Sequence, residues 1–214
     1  MMTLTKPKIC LITNRKLLPP PYLSKDLDNS LENLFQFCLK AAEAGIDIIQ
    51  IREKDLSAKE LSSFVTKLTS LVKNTSILVN DRLDIALSCG ANGVHLPSNS
   101  FPIKEVRRLV GNQFIISAST HSIEEAKQAA AQGADFILFS PIFDTPSKRA
   151  YGKPLGLELL KQAVSTINCP IIALGGINSE NALSVLECGV AGLAAIRLFI
   201  TTSNLKELVN ALKQ

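Results

Sequence analysis

Gln50, Arg52 and Lys54 stand at alternate positions at the end of an apolar run, Ile46-Asp47-Ile48-Ile49. The run reads as a buried strand, and alternate residues of a strand share one face. Two cations and an amide would therefore project together near the strand's C-terminal end. In a parallel α/β protein that is where ligands bind. The chemistry they suit is binding of an anion, most simply phosphate or pyrophosphate. The competing reading is an internal polar layer or ion pair, with Glu53 or Asp55 as partner.

Other strand ends carry similar groups. Asn80-Asp81-Arg82 follows the apolar run Ser76–Asn80. An amide beside a carboxylate could hold a phosphate and a Mg²⁺ ion, or could cap a following helix over Leu83–Cys89. The chain has two histidines, and both fall at strand ends: His95 before Leu96, and His121 after Ser117-Ala-Ser119-Thr. Ser117, Ser119 and His121 share a parity and hence a face. His121, just past its strand, is placed to move protons near neutral pH; otherwise it only leads into a helix. Lys148 sits in a long connection as a candidate phosphate clamp. Gly175-Gly176 permits the close backbone approach that phosphate cradling by N–H groups requires, or simply a tight turn. Ile196-Arg197 ends the last strand.

These positions imply the elements that must hold them. Apolar runs at Lys8–Thr13, Ile46–Arg52, Ser76–Asn80, Gly93–Leu96, Phe114–Thr120, Asp135–Ser140, Pro170–Gly175 and Gly192–Leu198 show little polar alternation. Strands covered on both faces look like that. Amphipathic stretches lie between them, including Ser30–Gly45 and Ser57–Asn74, the latter opening on a capping box, Ser57-Ala-Lys-Glu60. Ser122-Ile-Glu-Glu125 supplies an acidic first turn. Gly45, Gly90, Gly133 and Gly189 fall where helices should stop. Eight strand–helix units in 214 residues predict a closed (β/α)₈ barrel of the TIM type as a single domain over 1–214. An open doubly wound sheet would usually start with a glycine-rich turn; here that position reads Asn14-Arg15-Lys16-Leu17. Two long connections, Asn14–Asn29 and Ile142–Leu155, follow strands and are candidate lids.

Composition narrows the partners. A net charge of +4 is mild, with Lys and Arg scattered, two Tyr and no Trp. No nucleic-acid partner is expected. The five cysteines form no C-x-x-C pair, and their odd count suits a reducing compartment. No leader or transmembrane run is expected, so the predicted location is cytoplasmic, with no membrane partner.

The motifs together resemble the thiamine phosphate synthase/TenI superfamily along essentially the whole chain. They are Gln50-Ile-Arg52-Glu-Lys54, Asn80-Asp81-Arg82, Gly93-Val-His-Leu96, Ser119-Thr-His121-Ser-Ile-Glu-Glu125, Thr145-Pro-Ser147-Lys148 and Ala173-Leu-Gly-Gly176-Ile177. The resemblance implies a phosphate-binding barrel working in thiamine biosynthesis on small phosphorylated substrates, and makes a homo-oligomer an expectation. Its first implication is a TenI-type thiazole tautomerase, needing no cofactor, with His121 as the acid/base. The alternative is thiamine phosphate synthase, which couples a pyrimidine pyrophosphate to a thiazole phosphate carboxylate with Mg²⁺. Then Gln50, Arg52, Lys54, Asn80 and Lys148 would hold pyrophosphate, and Asp81 the metal. Thr145 and Ser147 would hold the thiazole carboxylate and Gly175-Gly176 its phosphate, with Ser119 in the substrate-binding set. A further alternative is a non-catalytic thiamine-related binding or regulatory protein. The synthase pattern has a second metal carboxylate after the fourth strand, in Gly-Val-His-Leu-Gly-Gln-x-Asp. This chain reads Gly93-Val-His-Leu-Pro97-Ser-Asn-Ser100 there. Leu96-Pro-Ser-Asn-Ser-Phe101 is closer to the tautomerase's segment.

Overall fold

The eight apolar runs close on one another. In the computed structural model, which describes residues 6–20, 22–145 and 153–214, the strands are β1 Lys8–Ile12, β2 Ile48–Ile51, β3 Ser76–Asn80, β4 Gly93–Leu96, β5 Ile115–Thr120, β6 Phe136–Phe139, β7 Ile171–Leu174 and β8 Gly192–Ala195. They pair in chain order, all parallel, and β8 returns to β1 to complete the barrel. The helices are α1 Leu27–Glu43, α2 Ala58–Leu71, α3 Leu83–Ser88, α4 Ile103–Val110, α5 Ile123–Ala131, α6 Gly156–Thr166, α7 Ala182–Leu186, α8 Arg197–Ile200 and α9 Leu205–Leu212. This is the (β/α)₈ architecture expected from the strand–helix alternation.

Two apolar layers result. Outward strand residues such as Ile9, Leu11, Ile49, Val79 and Ile137 pack against the helices in one large core. Inward residues Cys10, Ile12, Ile48, Leu78, Phe136, Leu138, Ile172 and Ala194 fill the barrel itself, so the lumen is packed, not a pore. Burial pushes the Cys10 thiol up to about 12, so it is no nucleophile at neutral pH.

Local signals account for the boundaries. Ser57 accepts from Glu60 N while Glu60 reaches back to the Ser57 N–H, completing the capping box. Ser122 caps α5 through Glu125 N. Among the helix-stopping glycines, Gly45 lies at φ +92°, and its amide and that of Ile46 return to carbonyls of α1. Helix α1 starts earlier than expected, because Asp26 caps it.

One boundary is corrected. The eighth strand stops at Ala195, and Arg197–Ile200 is a helical turn, not a strand extension. Leu198, Phe199 and Ile200 are all buried. A short apolar run does not reveal its period.

At the base of the barrel, Asp47 joins distant parts of the chain. It accepts from the amide of Ile9 and pairs with Lys8 at 3.2 Å and Lys213 at 2.7 Å. Lys213 also donates to the Gly45 carbonyl. No helix among the described residues is long and apolar enough to cross a membrane.

Candidate functional site at the C-terminal rim of the barrel

Inward-facing positions change character toward the C-terminal ends of the strands. Above the apolar layer, Gln50 Nε2 donates to Asn80 Oδ1 at 3.2 Å, and both residues are buried. The register sets Asn80 beside His95, and His95 beside Ser117. His95 is 3% exposed, with Nδ1 2.9 Å from Ser117 Oγ and Nε2 2.8 Å from Ser119 Oγ. Each ring nitrogen thus has a hydroxyl that can donate or accept to match the tautomer. The shared face of Ser117 and Ser119 is the barrel interior. A polar arc therefore runs across β2, β3, β4 and β5.

His121 continues the arc. Its Nδ1 lies 2.6 Å from the Ser140 carbonyl oxygen. A carbonyl only accepts, so in the neutral ring Nδ1 carries the proton and Nε2 presents its lone pair. The backbone N–H of His121 donates to Glu125, and Ser122 supplies the helix cap. The imidazole is not consumed in capping.

Arg52 and Lys54 are the decisive pair. The ion-pair reading of this stretch fails, because Glu53 and Asp55 have another partner. Arg15, 7% exposed, donates through Nη1 to Glu53 at 3.0 Å and holds Asp55 bidentately at 2.7 and 2.8 Å. Its Nε reaches Ser30 Oγ, and its backbone N–H also donates to Glu53. Lys16 adds a contact to Asp55 at 2.7 Å. Arg15 and then Lys16 hold the Asp55 carboxyl well below the usual range. Neither the Arg52 guanidinium nor the Lys54 ammonium has a side-chain hydrogen bond or ion pair among the described residues. Arg52 is half-buried and Lys54 exposed. Sequence reasoning passed over Arg15, although it follows the first strand as the other site residues follow theirs.

The start of the first long connection is consequently pinned. Thr13 N–H donates to the Gln50 carbonyl, and Thr13 Oγ1 accepts from Arg52 N–H. With Arg15 anchored and Leu18 buried, residues 13–18 are scaffold and not a lid.

Asp81 and Asn80 do not cap α3, which lacks a side-chain cap. Asp81 sits at φ +63°, a left-handed conformation uncommon outside glycine. Its Oδ1 accepts from the Ser100 hydroxyl at 2.5 Å. Ser100 thus stands beside Asp81, at the position where the resemblance implies a second carboxylate. Among the described residues no group of three or more His, Cys, Asp or Glu could hold a metal unaided. One exposed carboxylate does fit Mg²⁺ in its common form, ligated by the protein once or twice and otherwise by substrate phosphate and water.

Gly175 and Gly176 follow β7 at φ +102° and +67°. A Cβ on Gly176 would fall 2.6 Å from Phe143 Cβ and 2.7 Å from the Asp144 carbonyl oxygen. The glycines are demanded by the β6 connection packed against them. Asn181 fixes the turn by donating to the Gly176 carbonyl. Arg197 lies exposed in the single turn of α8. Thr145 is half-buried on the connection after β6; Ser147 and Lys148 lie outside the described residues.

Comparison with known proteins places the chain in a family. Residues 22–199 match the family model described as thiamine monophosphate synthase (TMP-TENI). A putative thiamine-phosphate synthase of Geobacter sulfurreducens is 41% identical over 174 residues, 80% of this chain and 82% of that protein. The thiamine-phosphate synthase of Methanoculleus marisnigri is 38% identical, covering 81% and 83%. The structure of thiamine phosphate pyrophosphorylase from Pyrococcus furiosus superposes with a TM-score of 0.80 at 30% identity, covering 96% of this chain and 93% of that one. The chain belongs to the thiamine monophosphate synthase/TenI family.

Proposed function

We propose that the protein is a thiamine-phosphate synthase, joining a pyrimidine pyrophosphate to a thiazole phosphate carboxylate. This reverses the order of the two activities inferred from the sequence, since relatives named thiamine-phosphate synthase favour the transferase over the tautomerase. The observation that carries the proposal is the pair Arg52 and Lys54, left without carboxylate partners at the rim because Arg15 holds Glu53 and Asp55. Two cations without partners among the described residues, following Gln50 at the end of β2, suit a pyrophosphate.

In this reading the C–O bond to pyrophosphate breaks, the thiazole nitrogen forms a C–N bond to the carbon released, and the thiazole carboxylate leaves as CO2, the ring carbon that bore it taking a proton from solvent. Arg52 and Lys54 bind the departing anion, and Gln50 and Asn80 orient it. Asp81 would hold Mg²⁺, which when bound offsets charge building on the leaving group. Ser119, Thr145 and Ser147 contact the substrates, Gly175-Gly176 receives the thiazole phosphate, and Lys148 joins the pyrophosphate site.

The test is thiamine phosphate formation from the two substrates across a Mg²⁺ titration. Turnover should rise with Mg²⁺ and fall about 10²-fold or more in Arg52→Ala, as for loss of a charged group acting on developing charge. A folded protein with no turnover at any Mg²⁺ concentration defeats the reading. One observation favours a second activity: His121, with Nδ1 fixed on a carbonyl and Nε2 presented, is set up to move a proton on a thiazole. Conversion of the non-aromatic thiazole isomer tests it.

A further inference from the structure

We propose that Arg15 is a positioning residue for the anion site, acting as an internal counter-cation. By neutralising Glu53 and Asp55 from the far side of the β2–α2 segment, it keeps Arg52 and Lys54 available to ligand. The inference rests on the pyrophosphate reading above.

Charges alternate along Arg52-Glu53-Lys54-Asp55. In such a run, each cation's nearest carboxylates are its own neighbours, so the default is mutual pairing. Here the alternation is sorted by side. Glu53, 5% exposed, and Asp55 both turn to one guanidinium, which meets Asp55 through two parallel N–H···O bonds. That fork geometry is available to Arg and not to Lys. Two anions on one guanidinium leave a net negative charge, and Lys16 completes the balance at Asp55. Ser30 Oγ accepts from Arg15 Nε and fixes the plane of the fork. The Arg15 side chain is 8% exposed and its N–H groups are taken up by Ser30, Glu53 and Asp55, so its influence passes through the acids it occupies.

Without Arg15, Glu53 has Arg52 and Lys54 on either side of it in the chain, and Asp55 has Lys54 next to it. The two carboxylates would pair with Arg52 and Lys54, and their charge would repel an incoming pyrophosphate. Removing the charge of Asp55 should then undo part of the damage. A residue that merely held the first connection in place could not be replaced in that way.

The experiment is calorimetric titration of inorganic pyrophosphate into the intact protein, wild type against Arg15→Gln, Asp55→Asn and the double variant. Wild-type binding is the control for the pyrophosphate reading: if it is absent, that reading fails first and separately. Given binding, Arg15→Gln should weaken it at least tenfold, Asp55→Asn should change it less than about threefold, and the double variant should recover most of the loss, a non-additivity expected only of groups that interact. A folded Arg15→Gln with unchanged affinity overturns the inference, as does a loss that Asp55→Asn leaves untouched. If Arg15→Gln does not fold, Arg15→Lys carries the same cycle: it keeps the charge without the fork, so a partial loss recovered by Asp55→Asn supports the inference, and a wild-type affinity or an unrecovered loss overturns it.

Discussion

Ser100 donates its hydroxyl hydrogen to Asp81 Oδ1 over 2.5 Å, tying the loop after β4 to the carboxylate at the end of β3. In the synthase reading, Ser100 stands where a second acidic ligand would be. Ser100→Asp would set two carboxylates against each other, which costs stability unless a cation lies between them. The variant should melt below wild type in chelator and recover in Mg²⁺. The Mg²⁺-dependent rise in melting temperature should exceed that of wild type, as ligand linkage requires for tighter binding. Equal rises in both proteins would show that position 100 does not address the metal.

His121 separates the two chemistries. If its Nε2 moves a proton on the thiazole, His121→Ala should lower conversion of the non-aromatic isomer by about 10²–10⁴-fold. Coupling of the aromatic thiazole to the pyrimidine should change by only about threefold, since that step asks no proton of this ring. Loss of both activities together, with fold intact, would make His121 a shared binding contact.

Asp55 gives a pH-dependent stability. Its carboxyl titrates below the ordinary value because Arg15 and Lys16 favour the charged form. The stabilisation is therefore fully present above about pH 4, the unfolded carboxyl value, and is lost as pH falls below it. Wild type should exceed Asp55→Asn in urea melts at pH 7, and the gap should narrow by pH 3. Its side chain is 42% exposed, so solvent screening keeps the gap small. A gap constant with pH would mean that the pair contributes through shape alone.

Gly176→Ala should destabilise the protein by roughly 1–3 kcal/mol through its positive φ alone. The added methyl must also displace Phe143 or the Asp144 carbonyl. The measured signature is a lower urea midpoint together with weaker binding of a thiazole phosphate. Wild-type stability in this variant would show that the β6 connection gives way freely.

The barrel was legible because its strands are apolar on both faces and its helices carry their own caps. Ser57, Ser122 and Gly45 act within a few residues of themselves, so their roles survive translation from sequence to structure. Strand parity served less well for Arg52 and Lys54, because β2 ends at Ile51 and both residues lie beyond it. Arg15 was not legible, since its meaning lies in two carboxylates some forty positions on. Only folding could reveal whether Glu53 and Asp55 turned inward to their neighbours or outward to it. The end of the eighth strand failed for another reason: Leu198, Phe199 and Ile200 are buried whether extended or helical, and hydrophobicity alone does not distinguish the two.

The pairing of β8 with β1 has a kinetic consequence. The first strand's outer edge has no partner until residues 192–195 exist, and the Lys213–Gly45 contact spans 168 positions. During synthesis, seven strands can assemble while the oldest edge stays open, and such edges recruit strands from other chains. The ribosome must deliver residues 192–195 before the sheet can seal. The chain's most aggregation-prone moment therefore comes just before β8 emerges, and conditions that slow translation between β7 and β8 should lower the yield of folded protein more than those that slow it between β1 and β2.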